Sequence, residues 1–153
     1  RTYLTVGESE ALTYAGRLQV GSILGAGQLE APADFLFYSG GGGTVRGQPY
    51  QSLGIASTEG GETKTTGGTS FIGAQLEARY TVRDNIALVG FYDFGQVGAT
   101  STPSEDAGSH AGAGIGLRYS TGIGPIRLDL GTQASGDDAG EDLQVYIGIG
   151  QSF

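Results

Sequence analysis

The sequence predicts an all-β protein: an antiparallel, up-and-down set of about seven strands from a transmembrane β-barrel. Three observations carry this. Segments that alternate apolar with small or polar residues recur along the chain. Within those segments charged residues take mid-strand positions on the face opposite the apolar one. The connections alternate between tight and long, which sorts them onto two rims.

The alternation places strands over roughly 1–6, 11–24, 69–82, 85–98, 110–120, 125–133 and 143–153. In the second, Leu12, Tyr14, Leu18 and Val20 oppose Thr13, Arg17 and Gln19. In the third, Ile72, Ala74, Leu76, Ala78 and Tyr80 oppose Gln75, Glu77 and Arg79. The fourth sets Ile86, Leu88, Tyr92 and Phe94 against Phe91 and Asp93. The fifth sets Ala113, Ile115, Leu117 and Tyr119 against glycines and Arg118. The sixth sets Ile126, Leu128 and Leu130 against Arg127 and Asp129. In the last, Leu143, Val145, Ile147, Ile149 and Phe153 share one face, and Tyr146, Gly148, Gly150 and Ser152 the other.

A soluble barrel would turn the apolar face inward and a membrane barrel turns it to lipid, and periodicity does not separate them. Connection length does. The turns near 7–10, 82–85 and 122–125 are tight, whereas 25–68, 98–109 and 134–142 are long. Short turns on one rim and long loops on the other belong to outer-membrane barrels. Single-chain barrels of this kind have an even strand number, and an open apolar sheet cannot sit in lipid with unpaired edges. The chain is therefore expected to be the C-terminal part of a larger barrel. It starts at Arg1, as a processed chain or a piece of a longer one would.

Composition narrows the functions. With 153 residues the chain is one domain by length, and its 30 glycines follow no collagen period. It has no cysteine, hence no disulfide framework or thiolate metal site. No apolar run approaches the roughly 20 residues of a membrane helix. A net charge of −8 argues against nucleic acid as a partner. The acids Glu59, Glu62, Glu105, Asp106, Asp137, Asp138, Glu141 and Asp142 lie in Gly/Ser/Thr-rich connections. Asp137, Asp138, Glu141 and Asp142 could hold a divalent cation, but their spacing fits no EF-hand, and a solvated acidic loop is the expectation. His110 reads as a surface residue between loop and strand.

The loop at 25–68 carries the apolar cluster Phe35, Leu36, Phe37 and Tyr38, then four glycines, Gly40 to Gly43, then Val45-Arg46-Gly47. A phosphate loop would need a following helix and a Lys-Ser/Thr pair. Neither is present, so a nucleotide site is rejected and no cofactor is expected. With Tyr50, the apolar cluster is too large for a loop left in water, so the loop should pack into the barrel lumen.

Four segments resemble a known family. They are Gly-Gly-Thr-Val-Arg-Gly at 42–47 followed by Tyr50 to Gly54; Gly67-Gly68-Thr69 running to Tyr80; Phe91-Tyr92-Asp93-Phe94-Gly95; and Gly114 to Tyr119, Gly124 to Asp129 and Tyr146 to Phe153. Together they resemble the C-terminal barrel portion of the bacterial outer-membrane insertases, BamA, TamA and the two-partner secretion transporters, with TamA the nearest branch. The resemblance implies the tenth to sixteenth strands of a 16-stranded barrel, without the POTRA domains. It implies a bacterial outer-membrane location, no bond chemistry, and insertion or translocation of client β-barrels and autotransporters, with an inner-membrane-anchored partner of the TamB type. A seam strand, Tyr146, Ile147, Gly148, Ile149, Gly150 and Phe153, would pair with clients through its edge. Gly148 and Gly150 would ease its bending, or would only relieve crowding in the lumen. The loop motif Val45-Arg46-Gly47 would be pinned by Arg46 to Glu77 and Asp93, shielded by Phe91, Tyr38 and Tyr50; Phe91 and Gly95 belong to the strand motif. Gln48 stands where the family usually has an aromatic, which weakens stacking at the tip.

Two other classes fit the alternation: a two-partner secretion transporter or passive pore of related fold, and a small eight-stranded adhesin or lipid-modifying barrel. The odd strand count and the long loop speak against the second.

Overall fold

The computed structural model describes residues 1–7, 11–59, 62–102, 107–136 and 139–150. In chain order its strands are β1 (Thr2–Val6), β2 (Leu12–Ser22), β3 (Ile55–Glu59), β4 (Glu62–Thr66), β5 (Ser70–Arg83), β6 (Ile86–Gly98), β7 (Gly108–Thr121), β8 (Gly124–Gln133) and β9 (Leu143–Ile149). Seven of them form one antiparallel sheet in the order β1-β2-β5-β6-β7-β8-β9. This is the up-and-down arrangement expected from the alternation.

The β3–β4 hairpin stands apart, inside the long connection. The alternation marks no strand in that stretch, which is expected as loop. Its residues are mostly Ser, Thr, Glu and Gly, so no apolar face marks it as a strand pair. A three-residue 3-10 turn, Ala33–Phe35, lies in the same connection. Among the described residues no helix is long and apolar enough to cross a membrane, which says nothing about crossing by strands.

Two-residue turns join β5 to β6 at Asp84-Asn85 and β7 to β8 at Gly122-Ile123. The β1–β2 turn falls on the same side, with residues 8–10 outside the described set. The opposite rim carries the long connections, of which 103–106 and 137–138 are likewise outside it.

Register turns the alternation into two unlike faces. Leu12, Tyr80, Leu88, Leu117, Leu128 and Ile147 form one continuous cross-strand row over six strands. This outer face is bare: Leu88, Ile115 and Ile147 are 52%, 66% and 76% exposed. Ile72, half-buried, and Leu76, Tyr92 and Ile149 continue it. An apolar surface of this extent is far beyond the scattered exposed residues of a water-soluble monomer. Residues of opposite parity, including Arg79, Arg118, Arg127 and Asp129, lie on the inner face. There the core sits, between sheet and loop, built from Val45, Phe71, Val89, Phe91, Val97 and Ala111.

The described part of β9 runs from Leu143 to Ile149, and at Gly150, with φ +102, the N–H still donates to the Pro125 carbonyl at 2.7 Å. Phe153, proposed as the closing aromatic, lies outside the described residues. Leu143, Val145, Ile147 and Ile149 do share the exposed outer face.

Candidate functional site

The site is built where the long loop meets the inner face. β7 presents Gly112, Gly114 and Gly116 in alternate, inward positions. A side chain at Gly112 would collide with the Arg46 backbone carbonyl, and one at Gly131 would approach Gly47 within 3.0 Å. The loop thus lies in a trench that exists because these positions carry no Cβ.

The glycines leading to the tip serve the loop itself. The Gly40 N–H donates to Thr44 Oγ1 at 2.9 Å, and the Gly41 N–H is shared between the Val45 and Gln48 carbonyls at 3.0 Å each. Gly41, with φ +89, and Gly47, with φ +90, take a left-handed backbone that side chains resist. The first two amides of the four-glycine run are thus bonded within the loop itself.

The strand motif explains its own spacing. Phe91, Asp93 and Gly95 alternate along β6 and all face inward. Arg46 Cζ lies 3.7 Å from the Phe91 ring centroid, a cation–π contact. Asp93 receives the guanidinium. Gly95 leaves space for Ser39 and Val45, which a Cβ would displace.

Arg46 is 1% exposed and makes a two-pronged contact with Asp93, Nε to Oδ2 at 2.7 Å and Nη2 to Oδ1 at 2.9 Å. Its backbone N–H also donates to Asp93 Oδ2 at 3.1 Å. Nη1 reaches Glu77 Oε1 at 2.6 Å and Asp129 Oδ2 at 3.2 Å. Arg118 donates to Glu77 at 3.0 Å and to both Asp129 oxygens, and Arg79 donates to Glu77 Oε2 at 2.8 Å. Three carboxylates therefore meet three guanidiniums in one buried, charge-balanced cluster. Burial by itself disfavours the charged Arg46, but the hydrogen bonds and charges of Asp93 and Glu77 outweigh it and raise its pKa.

The structure brings Arg46, Glu77 and Asp93 together, and Asp129 and Arg118 join them. Parity had already placed those two on the inner face. Their depth beside Arg46 follows from register, which pairs Asp129 with Gly116 and Glu77 with Phe91.

Other expectations are corrected. Tyr50 is 80% exposed and Phe35 71% exposed, so neither shields the cluster. Of the expected shielding residues, Phe91 does lie against the guanidinium, with its ring centroid 3.7 Å from Arg46 Cζ. Tyr38 is half-buried and lies against Gly67, to one side. Gln48, which stands in the usual place of a stacking aromatic, is buried, and its Nε2 donates to the Ala111 carbonyl at 2.9 Å. It fixes the tip by a hydrogen bond rather than by stacking.

His110 is not on the surface. It is 8% exposed in β7, with Nε2 2.8 Å from Ser39 Oγ beneath the loop. Gly148 lies under Arg127, whose Nε is 2.6 Å from where a Cβ would be, so this glycine relieves crowding inside. Glu141 and Asp142 are exposed, and Asp137 and Asp138 lie outside the described residues.

An antiparallel sheet that is bare and apolar outside, charged inside and packed by its own long loop is a stretch of β-barrel wall with an inward-folded loop. The chain belongs to the Omp85 superfamily, whose domain model matches residues 1–153. Among solved structures it is similar in fold to BamA from Haemophilus ducreyi lacking POTRA domains 1–3, with a TM-score of 0.71 and 20% identity. The match covers 96% of this chain and 32% of that one, so the chain spans about a third of that structure.

Proposed function

We propose that residues 1–153 are the C-terminal part of an outer-membrane β-barrel domain, seven strands of a 16-stranded barrel, in a bacterial factor that inserts or translocates client proteins. The observation that carries this reading is the Arg46 cluster. A loop of more than forty residues costs much conformational entropy to order, and a buried multi-carboxylate clamp is an investment that a simple surface loop does not need. The clamp holds the Val45-Arg46-Gly47 tip across the inner face, so the lumen is partly filled rather than left as an open channel. The protein performs no bond chemistry on this reading. It lowers the barrier for a client strand to pair and enter the bilayer through the β9 seam. The finer assignment, supported by the resemblance of the loop and strand motifs, is the TamA branch, with autotransporters among the clients and a TamB-type partner.

The test is reconstitution of the full-length protein in liposomes, scoring assembly of an unfolded client barrel by its protease-resistant, heat-modifiable form. Acceleration over empty liposomes is expected, and Arg46→Ala should reduce it at equal protein content. A protein that conducts ions freely and leaves client assembly at the empty-liposome rate is instead a pore or secretion transporter.

A further inference from the structure

Tyr146 does something the clamp does not account for. It lies on the inner face of β9, in register with Asp129 of the cluster. Its hydroxyl accepts the Gly47 N–H at 3.0 Å and donates to the Gln48 carbonyl at 3.3 Å. One hydroxyl thus uses its single proton and a lone pair on two adjacent peptide units of the loop tip. The ring closes over Gly42, where a Cβ would come within 3.1 Å of Cδ1. The tip is therefore held from two sides: Arg46 anchors it to β5, β6 and β8, and Tyr146 anchors it to β9.

β9 differs from those other strands. Among the described strands it is hydrogen-bonded to β8 alone, over seven residues from Thr132↔Leu143 to Ile126↔Ile149. The Tyr146 contacts are its tie to the loop, and they come from a single side chain.

Resting on the insertion reading, we infer that Tyr146 is a positioning residue that couples the docked loop to β9, so that loop release and displacement of β9 favour each other. The physical basis is geometric. A one-residue slip of β9 moves its side chains by about 3.3 Å and turns each to the other face, which breaks both hydrogen bonds at once. Coupling is reciprocal: whatever loosens the tip must loosen β9 by the same factor.

The experiment is hydrogen exchange on the full-length protein in lipid nanodiscs, read on peptides covering 40–54 and 143–149. Tyr146→Phe keeps the ring and removes the hydroxyl, and exchange should quicken about five- to thirtyfold in both segments, as expected for loss of the net contribution of two hydrogen bonds. Arg46→Ala should quicken both segments when Tyr146 is present. Combined with Tyr146→Phe, it should quicken 40–54 while adding nothing to 143–149. A residue that merely stabilises the sheet would not produce this non-additivity. Gly42→Ala, which crowds the Tyr146 ring from the loop side, gives an independent variant and should also quicken 143–149. If Arg46→Ala leaves 143–149 unchanged, or quickens it equally with and without Tyr146→Phe, the coupling through Tyr146 is wrong. No client takes part in this measurement, so its failure is distinct from a failure of the liposome assembly assay.

Discussion

Arg46 and Asp93 are joined by three hydrogen bonds, two from the guanidinium at 2.7 and 2.9 Å and one from the Arg46 backbone N–H at 3.1 Å. The pair fixes both the side chain and the main chain of the loop tip, in a site that water does not reach. Removing Arg46 would leave three carboxylates, Glu77, Asp93 and Asp129, against the two remaining guanidiniums of the cluster, Arg79 and Arg118. Breaking a buried ion pair from one side costs about 3–5 kcal/mol. Arg46→Ala should therefore undock the loop, with faster protease cleavage between 35 and 54, while the heat-modifiable sheet persists. Arg46→Lys should behave nearly as badly, because a point charge cannot make the two-pronged contact.

Gly112 and Gly90 form a matched pair for testing the trench. A Cβ at Gly112 would overlap the Arg46 carbonyl, whereas nothing lies within 4 Å of one at Gly90. Gly112→Ala should destabilise loop docking by about 1–3 kcal/mol, as overpacking does. Gly90→Ala should be neutral or slightly stabilising. Loop proteolysis rates of the two variants, measured side by side, check this; equal rates would mean the loop does not rest where the structure puts it.

Leu117 occupies the outer apolar row between Leu88 and Leu128. If that row faces hydrocarbon, Leu117→Arg should cost about 2–4 kcal/mol near the bilayer midplane. The expected result is a lower yield of heat-modifiable protein in membranes. Assembly at the wild-type level would show that the outer face is not lipid-exposed at this depth.

Gln48 reaches the Ala111 carbonyl, which also accepts the Ala134 N–H at 3.0 Å. Gln48→Leu removes a donor without orphaning that carbonyl, so the loss should stay near 1 kcal/mol. Exchange at 45–48 should quicken modestly, far less than in Arg46→Ala. A loss as large as that of Arg46→Ala would mean Gln48 does more than fix the tip to β7.

What the sequence determined by itself is the part that depends on neighbours along the chain. Side chains alternate on a strand, so parity alone sorts Leu88, Ile115 and Leu128 from Asp93, Arg118 and Asp129. The short connections near 82–85 and 122–125, set against the long ones, mark the tight rim. The family resemblance singled out Arg46, Glu77 and Asp93 because their motifs are contiguous in the chain.

Tertiary structure decided everything that depends on alignment between distant strands. Asp129 lies 83 positions from Arg46, and Tyr146 lies 99 from Gly47. No local pattern sets how far one strand is staggered against another, and a shift of two residues preserves every face while separating these partners. The same reason buries His110 and exposes Tyr50. Each sits where a polar or aromatic residue could be either, until the loop's path over the glycine trench assigns one to the interface and leaves the other to solvent.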